Sequence, residues 1–186
     1  MTPTTNRRRP RPASGLRAIV ACGLALVAAP VAAHVTLDPR EAPSDTTVRI
    51  AVRVPHGCEG AATTAIRLQI PPGIRGAKPA PKPGWTLETV QAAEASTSPA
   101  AVTSGGGHGS SPALREVAWR GGPLPDDFYD EFIILFRTPA APGETVYFPI
   151  VQECEGGRVS RWIERSQPGG GEPRMPAPGL RIVPNY

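Results

Sequence analysis

Short stretches in which apolar residues occupy every second position are the feature that most constrains the fold of this chain. In TTVRIAVRV, residues 46–54, Val48, Ile50, Val52 and Val54 alternate with mostly polar residues. One apolar and one polar face predict a half-buried strand. We predict six further strands from similar apolar or alternating patterns: TTAIRLQI (63–70), WTLETV (85–90), REVAW (115–119), EFIILFR (131–137), TVYFPIVQEC (145–154) and VSRWIE (159–164).

Turn-forming residues separate these segments. The chain contains 24 Pro and 20 Gly, and runs such as PPGIRG and APGET lie between the predicted strands. No segment has the 3.6-residue period of an amphipathic helix. Seven or so short antiparallel strands joined by Pro/Gly turns predict an all-β fold, an immunoglobulin-like antiparallel β-sandwich in a single domain.

The first 33 residues are typical of an export signal. Five arginines precede an apolar run, AIVACGLALVAA, and the small residues Val31, Ala32 and Ala33 follow it. The alternative, a membrane span, needs about 20 apolar residues, more than this run supplies. We therefore expect residues 1–33 to be a signal peptide that is removed, leaving a periplasmic or secreted chain without a membrane anchor.

Removal of the signal changes the charge of the protein. The whole chain has 20 basic and 16 acidic residues, and the signal contains five of the basic residues and none of the acids. The net charge therefore changes from +4 to about −1. A chain with this balance lacks the positive charge that favours nucleic acids or anionic membranes.

The mature chain divides by composition into one domain and two Pro/Gly-rich segments. Residues 34–166 contain all the predicted strands and form the expected domain. Residues 95–112, ASTSPAAVTSGGGHGSSP, predict a flexible insertion. Residues 167–186 are dominated by Pro and Gly and predict a flexible tail.

Two cysteines remain after Cys22 is removed with the signal. Cys58 and Cys154 form an even pair in an exported chain, which predicts one disulfide. The alternative is a metal site with two thiolates. It is less favoured because thiols oxidise outside the cytosol and the chain has no CxxC pair.

The first residue after the expected cleavage point is a histidine. A chain that begins at His34 presents an α-amine and an imidazole nitrogen within one residue, and both can bind the same metal ion. A metal ion binds each group in its deprotonated form. Because both groups have ordinary pKa values near neutrality, losing the proton costs little free energy near pH 7. Nitrogen ligands suit Cu(II), which also has the highest affinity in the divalent series. The alternative is that cleavage happens to expose this residue.

Several motifs along the mature chain resemble one family. The segments HVTLDPREAP, KPAPKPGWTLE, VAWRGGPLPDDFYDEF, YFPIVQEC and RWIE occur in the order found in the YcnI-like family of exported copper-binding domains. The resemblance implies that the terminal His34 binds Cu(II) through its amine and ring nitrogens. It also implies that Glu41 completes the site and that Trp162 lies beside the metal without being an ordinary ligand.

The expected function is therefore Cu(II) binding in copper handling, buffering or delivery, without enzymatic activity. Expected partners are the copper ion and another periplasmic copper chaperone or a copper transporter. A copper-dependent oxidative enzyme and a metal-free interaction module are the alternatives, and neither His56 nor His108 is placed by sequence as the second histidine that such an enzyme usually needs. Motifs for hydrolysis and phosphate binding are absent from the sequence.

Overall fold

The alternating segments pair into β-sheets in the computed structural model, which describes residues 34–92, 113–165, 169–171 and 173–186. The expected signal peptide with Cys22, and the insertion at 95–112 with His108, lie outside the described residues. No helix in the described ranges is long and apolar enough to cross a membrane. One 3₁₀ turn, Glu155–Gly157, is the only helical element there.

The described residues form twelve strands. In chain order they are β1 (Thr36–Asp38), β2 (Glu41–Pro43), β3 (Thr47–Val54), β4 (Thr63–Gln69), β5 (Arg75–Pro79), β6 (Trp85–Gln91), β7 (Leu114–Leu124), β8 (Asp130–Arg137), β9 (Thr145–Tyr147), β10 (Ile150–Cys154), β11 (Val159–Trp162) and β12 (Gly179–Val183).

These strands form three sheets. The first has the order β1-β3-β8-β5, the second β11-β10-β4-β7-β6, and the third β2-β12-β9. The pairings are antiparallel except that of β12 with β2, which is parallel. The long pairing of β3 with β8 places Ile50 opposite Ile134, so the predicted apolar face of β3 continues across the sheet.

Aromatic side chains join the two larger sheets face to face. Phe132 of β8 lies with its ring centroid 5.5 Å from that of Trp119 on β7 and 4.9 Å from that of Trp85 on β6. Trp119 is fully buried, and its indole N–H donates to the Ala80 carbonyl oxygen over 2.9 Å. These contacts confirm a β-sandwich, and they show that Trp85 and Trp119 are packing residues.

All seven predicted strand segments contain strands, although the segment 145–154 is divided into β9 and β10. The prediction of a flexible tail at 167–186 is wrong for residues 179–183, which form β12. Leu180 and Ile182 are fully buried in the core, while Arg181 between them is exposed. This alternation is present in the sequence, but it is short and flanked by prolines. The Pro/Gly-rich composition of the tail therefore led to the prediction of a flexible segment instead of a strand. The domain therefore extends beyond residue 166.

Charged side chains hold the turn that follows β2. The Asp45 carboxylate accepts hydrogen bonds from Nε and Nη2 of Arg137, both over 2.9 Å, and also pairs with Arg75. The hydrogen bonds from Arg137 lower the pKa of Asp45 to about 2. This contribution to folding is present above the ordinary pKa of the carboxyl group and is lost as the pH falls toward 2. The turn is therefore tied to β8 throughout the neutral range.

Candidate metal centre at His34

His34 lies at the edge of the first sheet, two residues before β1 begins. Val35 and Leu37 are buried in the core, and β1 pairs with the C-terminal half of β3. The alternation of β1 leaves His34 half-buried at the rim of the sandwich rather than inside it. The start of the predicted mature chain is therefore supported by a paired strand two residues away.

Trp162 approaches His34 from the opposite sheet. It is the last residue of β11, where it pairs with Ile150 of β10, and only 4% of it is exposed. The ring centroids of His34 and Trp162 are 5.8 Å apart, with the planes tilted by 60°. Two of the three residues that the resemblance implied are therefore in contact across the edge of the sandwich.

Glu41 lies on the outer surface, on β2. It is opposite Arg181 in the parallel pairing with β12, and the nearest carboxylate oxygen is 3.6 Å from Nη1 of Arg181. Both side chains are mostly exposed. No hydrogen bond or ion pair joins Glu41 to His34 among the described residues. The structure thus brings His34 to Trp162 but leaves Glu41 in a surface ion pair.

A groove borders His34 on the side of the C-terminal segment. Its volume is about 240 Å³, and its lining includes His34, Arg40, Pro176 and Pro178. Arg40 is the residue immediately before Glu41, so β2 begins close to this groove. The His34 ring is consequently reached by solvent from one side and covered by Trp162 on another.

A buried amide fixes the orientation of Trp162. The indole N–H of Trp162 donates to Oε1 of Gln152 over 3.0 Å. The side-chain amide of Gln152 in turn donates to the His56 carbonyl oxygen over 2.7 Å and to the Thr63 hydroxyl over 2.8 Å. Because Gln152 is fully buried and each of its polar atoms has a partner, the network holds the indole in one position.

Gln152 belongs to no recognisable motif, although the strand pattern around it contains a signal. In residues 148–154 the inward positions are Phe148, Ile150, Gln152 and Cys154, all of them buried. A polar side chain in such a row has to find hydrogen-bond partners inside the protein. The position could be recognised from the sequence, but its partners could not.

The disulfide predicted from the two cysteines is present. Cys58 and Cys154 are bonded, with their Cα atoms 6.0 Å apart, and both are buried with Ala61 in a small apolar cluster. Cys58 follows His56 by two residues, and Cys154 follows Gln152 by two. The bond therefore attaches the turn after β3 to the strand that carries the partner of Trp162.

His56 lies closer to the candidate centre than its position in the sequence indicated. Its ring is half-buried, and its centroid is 6.4 Å from that of Trp162 in an edge-to-face arrangement. His34 and His56 therefore contact the same indole. The sequence places His56 only in a Gly-containing turn after β3, and no feature of the sequence indicates that this turn meets β11.

Replacing Trp162 by Phe should lower the free energy of unfolding by about 1–3 kcal/mol, because Oε1 of Gln152 then loses its buried donor. Urea denaturation of the disulfide-bonded chain measures the loss. Trp85→Phe is the matched control, since it makes the same change of ring at a half-buried indole for which the described residues show no hydrogen bond. An equal or smaller loss for Trp162→Phe than for Trp85→Phe would contradict a role for this hydrogen bond.

The described part of the chain has no group of three or more His, Cys, Asp or Glu side chains that could hold a metal ion. The chemistry that this edge offers comes from the imidazole of His34 and the face of the Trp162 indole. In a chain that begins at His34, the α-amine adds a further nitrogen donor at the same point.

Comparison with known proteins places the fold and the family. A crystal structure of an uncharacterized protein from Nocardia farcinica, described as having an immunoglobulin-like fold, superposes with a TM-score of 0.62 at 30% sequence identity. The match covers 81% of this chain and 98% of that protein, and it confirms the predicted immunoglobulin-like fold. No curated protein matches the chain significantly. The model of a domain of unknown function (DUF1775) matches residues 34–182, and the chain therefore belongs to the DUF1775 family, which is the YcnI-like family.

Proposed function

We propose that the chain is exported, is cleaved before His34, and binds Cu(II) through the new terminus in order to buffer copper or deliver it to another protein. The observation that carries the proposal is the contact between His34 and Trp162. The family match supports it by beginning at residue 34, the first residue after the expected cleavage point.

The donors at His34 fit a copper ion. The α-amine and the imidazole of one residue provide two nitrogen ligands that need no assembly from distant parts of the chain, and nitrogen donors suit Cu(II). The paired strand β1 begins two residues later and fixes the position of the terminus. Trp162 adds an apolar, polarisable surface that limits the access of water to one side of the ion.

Glu41 would complete the site at the expense of its exposed ion pair with Arg181. Their ion pair has a nearest distance of 3.6 Å and is mostly exposed. Exposed pairs of this kind contribute roughly 0–1 kcal/mol, so the pair is a small obstacle to ligation by the carboxylate. Glu41 adjoins Arg40, which lines the same groove as His34, so the approach would involve the start of β2.

The test is a Cu(II) titration of the protein purified after export, with its first residue determined by mass spectrometry. We expect a chain beginning at His34 that binds one copper ion, with nitrogen coupling in its electron paramagnetic resonance spectrum. An export product that begins elsewhere, or one that binds no copper in competition with a weak chelator, would overturn the proposal.

Glu41→Gln should weaken Cu(II) binding by up to about tenfold, or ~1.4 kcal/mol, because an oxygen donor remains while its negative charge is lost. Glu59→Gln is the matched control, since Glu59 is also an exposed carboxylate near an arginine, 3.9 Å from Arg158. Competition titrations measure both variants. Equal affinities for Glu41→Gln, Glu59→Gln and the unchanged protein would remove Glu41 from the site.

Two other functions are distinguished by simple measurements. A metal-free interaction module would show no specific copper binding in the titration above. A copper-dependent oxidative enzyme would consume oxygen in the presence of a reductant and would need copper to do so. We propose the non-enzymatic function for two reasons. The donors at His34, its α-amine and imidazole, account for metal binding and not for a reaction. An immunoglobulin-like fold by itself indicates no reaction either.

A further inference from the structure

We propose that Gln152 is a positioning residue for the copper site at His34. It holds the Trp162 indole beside the His34 ring, where the two ring centroids are 5.8 Å apart, and thereby keeps water from one side of the ion. The inference rests on the proposed function and deepens it. It assigns control of the solvent exposure and reduction potential of the copper to a buried residue that supplies no ligand.

The partners of the Gln152 side-chain amide fix its orientation. Oε1 accepts from the Trp162 indole N–H over 3.0 Å, while Nε2 donates to the His56 carbonyl oxygen over 2.7 Å and to the Thr63 hydroxyl over 2.8 Å. An indole N–H only donates and a backbone carbonyl oxygen only accepts, so an amide turned the other way would lose both of these bonds. The amide therefore has one usable orientation, in which its oxygen faces Trp162.

The strand that carries Gln152 is held on both of its edges. In β10, Gln152 lies opposite Ile66 of β4 on one side and opposite Ser160 of β11 on the other. Cys154, two residues further along β10, is bonded to Cys58. Because the Gln152 side chain is also fully buried in a close-packed interior, its acceptor oxygen has a fixed position.

The backbone of Trp162 restrains its indole less than the amide does. Trp162 is the last residue of β11, and Ile163 after it is 47% exposed. The indole has a single N–H, and Gln152 accepts its hydrogen bond. Without that acceptor, the side chain could turn about its own dihedral angles. Gln152 thus determines which part of the indole faces the His34 ring.

A fixed indole acts on a copper ion at His34 through water. The apolar surroundings of a metal site control its solvent access and its reduction potential. Cu(II) has the greater charge, so it loses more solvation free energy than Cu(I) when water is excluded. Holding the indole in place should therefore favour Cu(I) and raise the reduction potential.

Gln152→Met tests the inference most directly in the chain that begins at His34. Methionine has a similar length and no amide, so the indole loses its acceptor while the donors at His34 stay in place. We expect the reduction potential of the bound copper to shift to a more negative value. Pulsed electron paramagnetic resonance in heavy water should at the same time detect an additional exchangeable water at Cu(II).

The matched control is Thr63→Val, which removes a buried partner of Nε2 but leaves the bond between Oε1 and the indole. It should change neither the potential nor the water signal, and urea denaturation compares the stability of the two variants. Gln152→Asn, one methylene too short to keep the bond to the indole, replaces Gln152→Met if the latter does not fold.

The outcomes separate this inference from the proposed function. If the variant at Gln152 keeps either the potential or the water signal of the unchanged protein, the inference is overturned while the proposed function stands. Shifts of the same size in Thr63→Val would also overturn it, since they would reflect a general loosening of the core. Absence of copper binding by the unchanged protein would overturn the proposed function, and this inference with it.

Discussion

A chain that keeps one residue in front of His34 should bind Cu(II) about 100-fold to 10,000-fold more weakly than the chain that begins at His34. The extra residue converts the α-amine into an amide, so one of two linked donors is lost, and linked donors gain about this factor from their effective concentration. The imidazole remains, so residual binding is expected. The nitrogen coupling in the electron paramagnetic resonance spectrum should decrease at the same time.

The matched control adds the same residue after Tyr186, which is fully exposed at the other end of the chain. This extension should leave the affinity unchanged. The pH dependence gives an independent check: an α-amine has an ordinary pKa of about 8 and must lose its proton to bind copper. Binding to the chain that begins at His34 should therefore strengthen toward pH 8 more steeply than binding to the extended chain. Equal affinities for the two chains would show that the amine is not a ligand.

Apolar periodicity was sufficient to predict the sandwich but not its third sheet. Segments such as 46–54 have four apolar residues at alternate positions, and packing in the folded protein favours the same strand structure that this pattern predicts. Two strands of that sheet, β2 and β12, are only three and five residues long and border prolines, so each has too few positions to establish a period. Their strand structure comes from pairing with distant residues, as when β12 lies beside β2.

The candidate site was less predictable because its members are far apart in sequence. His34 was recognisable from its place after the apolar leader, and Trp162 entered only through the resemblance to a family. That the two rings are 5.8 Å apart follows from the pairing of β11 with β10 and from the packing of two sheets. Gln152 had no motif, and its role depends on hydrogen bonds to the His56 carbonyl and the Trp162 indole that form only in the folded chain.

Removing the disulfide with Cys58→Ala and Cys154→Ala together should lower the free energy of unfolding by about 4–5 kcal/mol, the value that the chain-entropy model gives for a loop of roughly this length. The two cysteines are 96 residues apart, so the bond restricts most of the unfolded domain. Alanine is preferred to serine because both sites are buried and a hydroxyl there would need a new partner. Urea denaturation measures the loss.

The slope of the urea transition separates this mechanism from a loss of packing. Without the bond the unfolded chain expands and exposes more surface, so the slope should increase as the midpoint falls. The unchanged protein treated with a thiol reductant is the control, since it loses the bond without losing either sulfur. If the reduced protein and the double variant are both destabilised by less than about 1 kcal/mol, the entropic account is wrong. A loss confined to the double variant would instead assign the stability to the packing of the two sulfurs against Ala61.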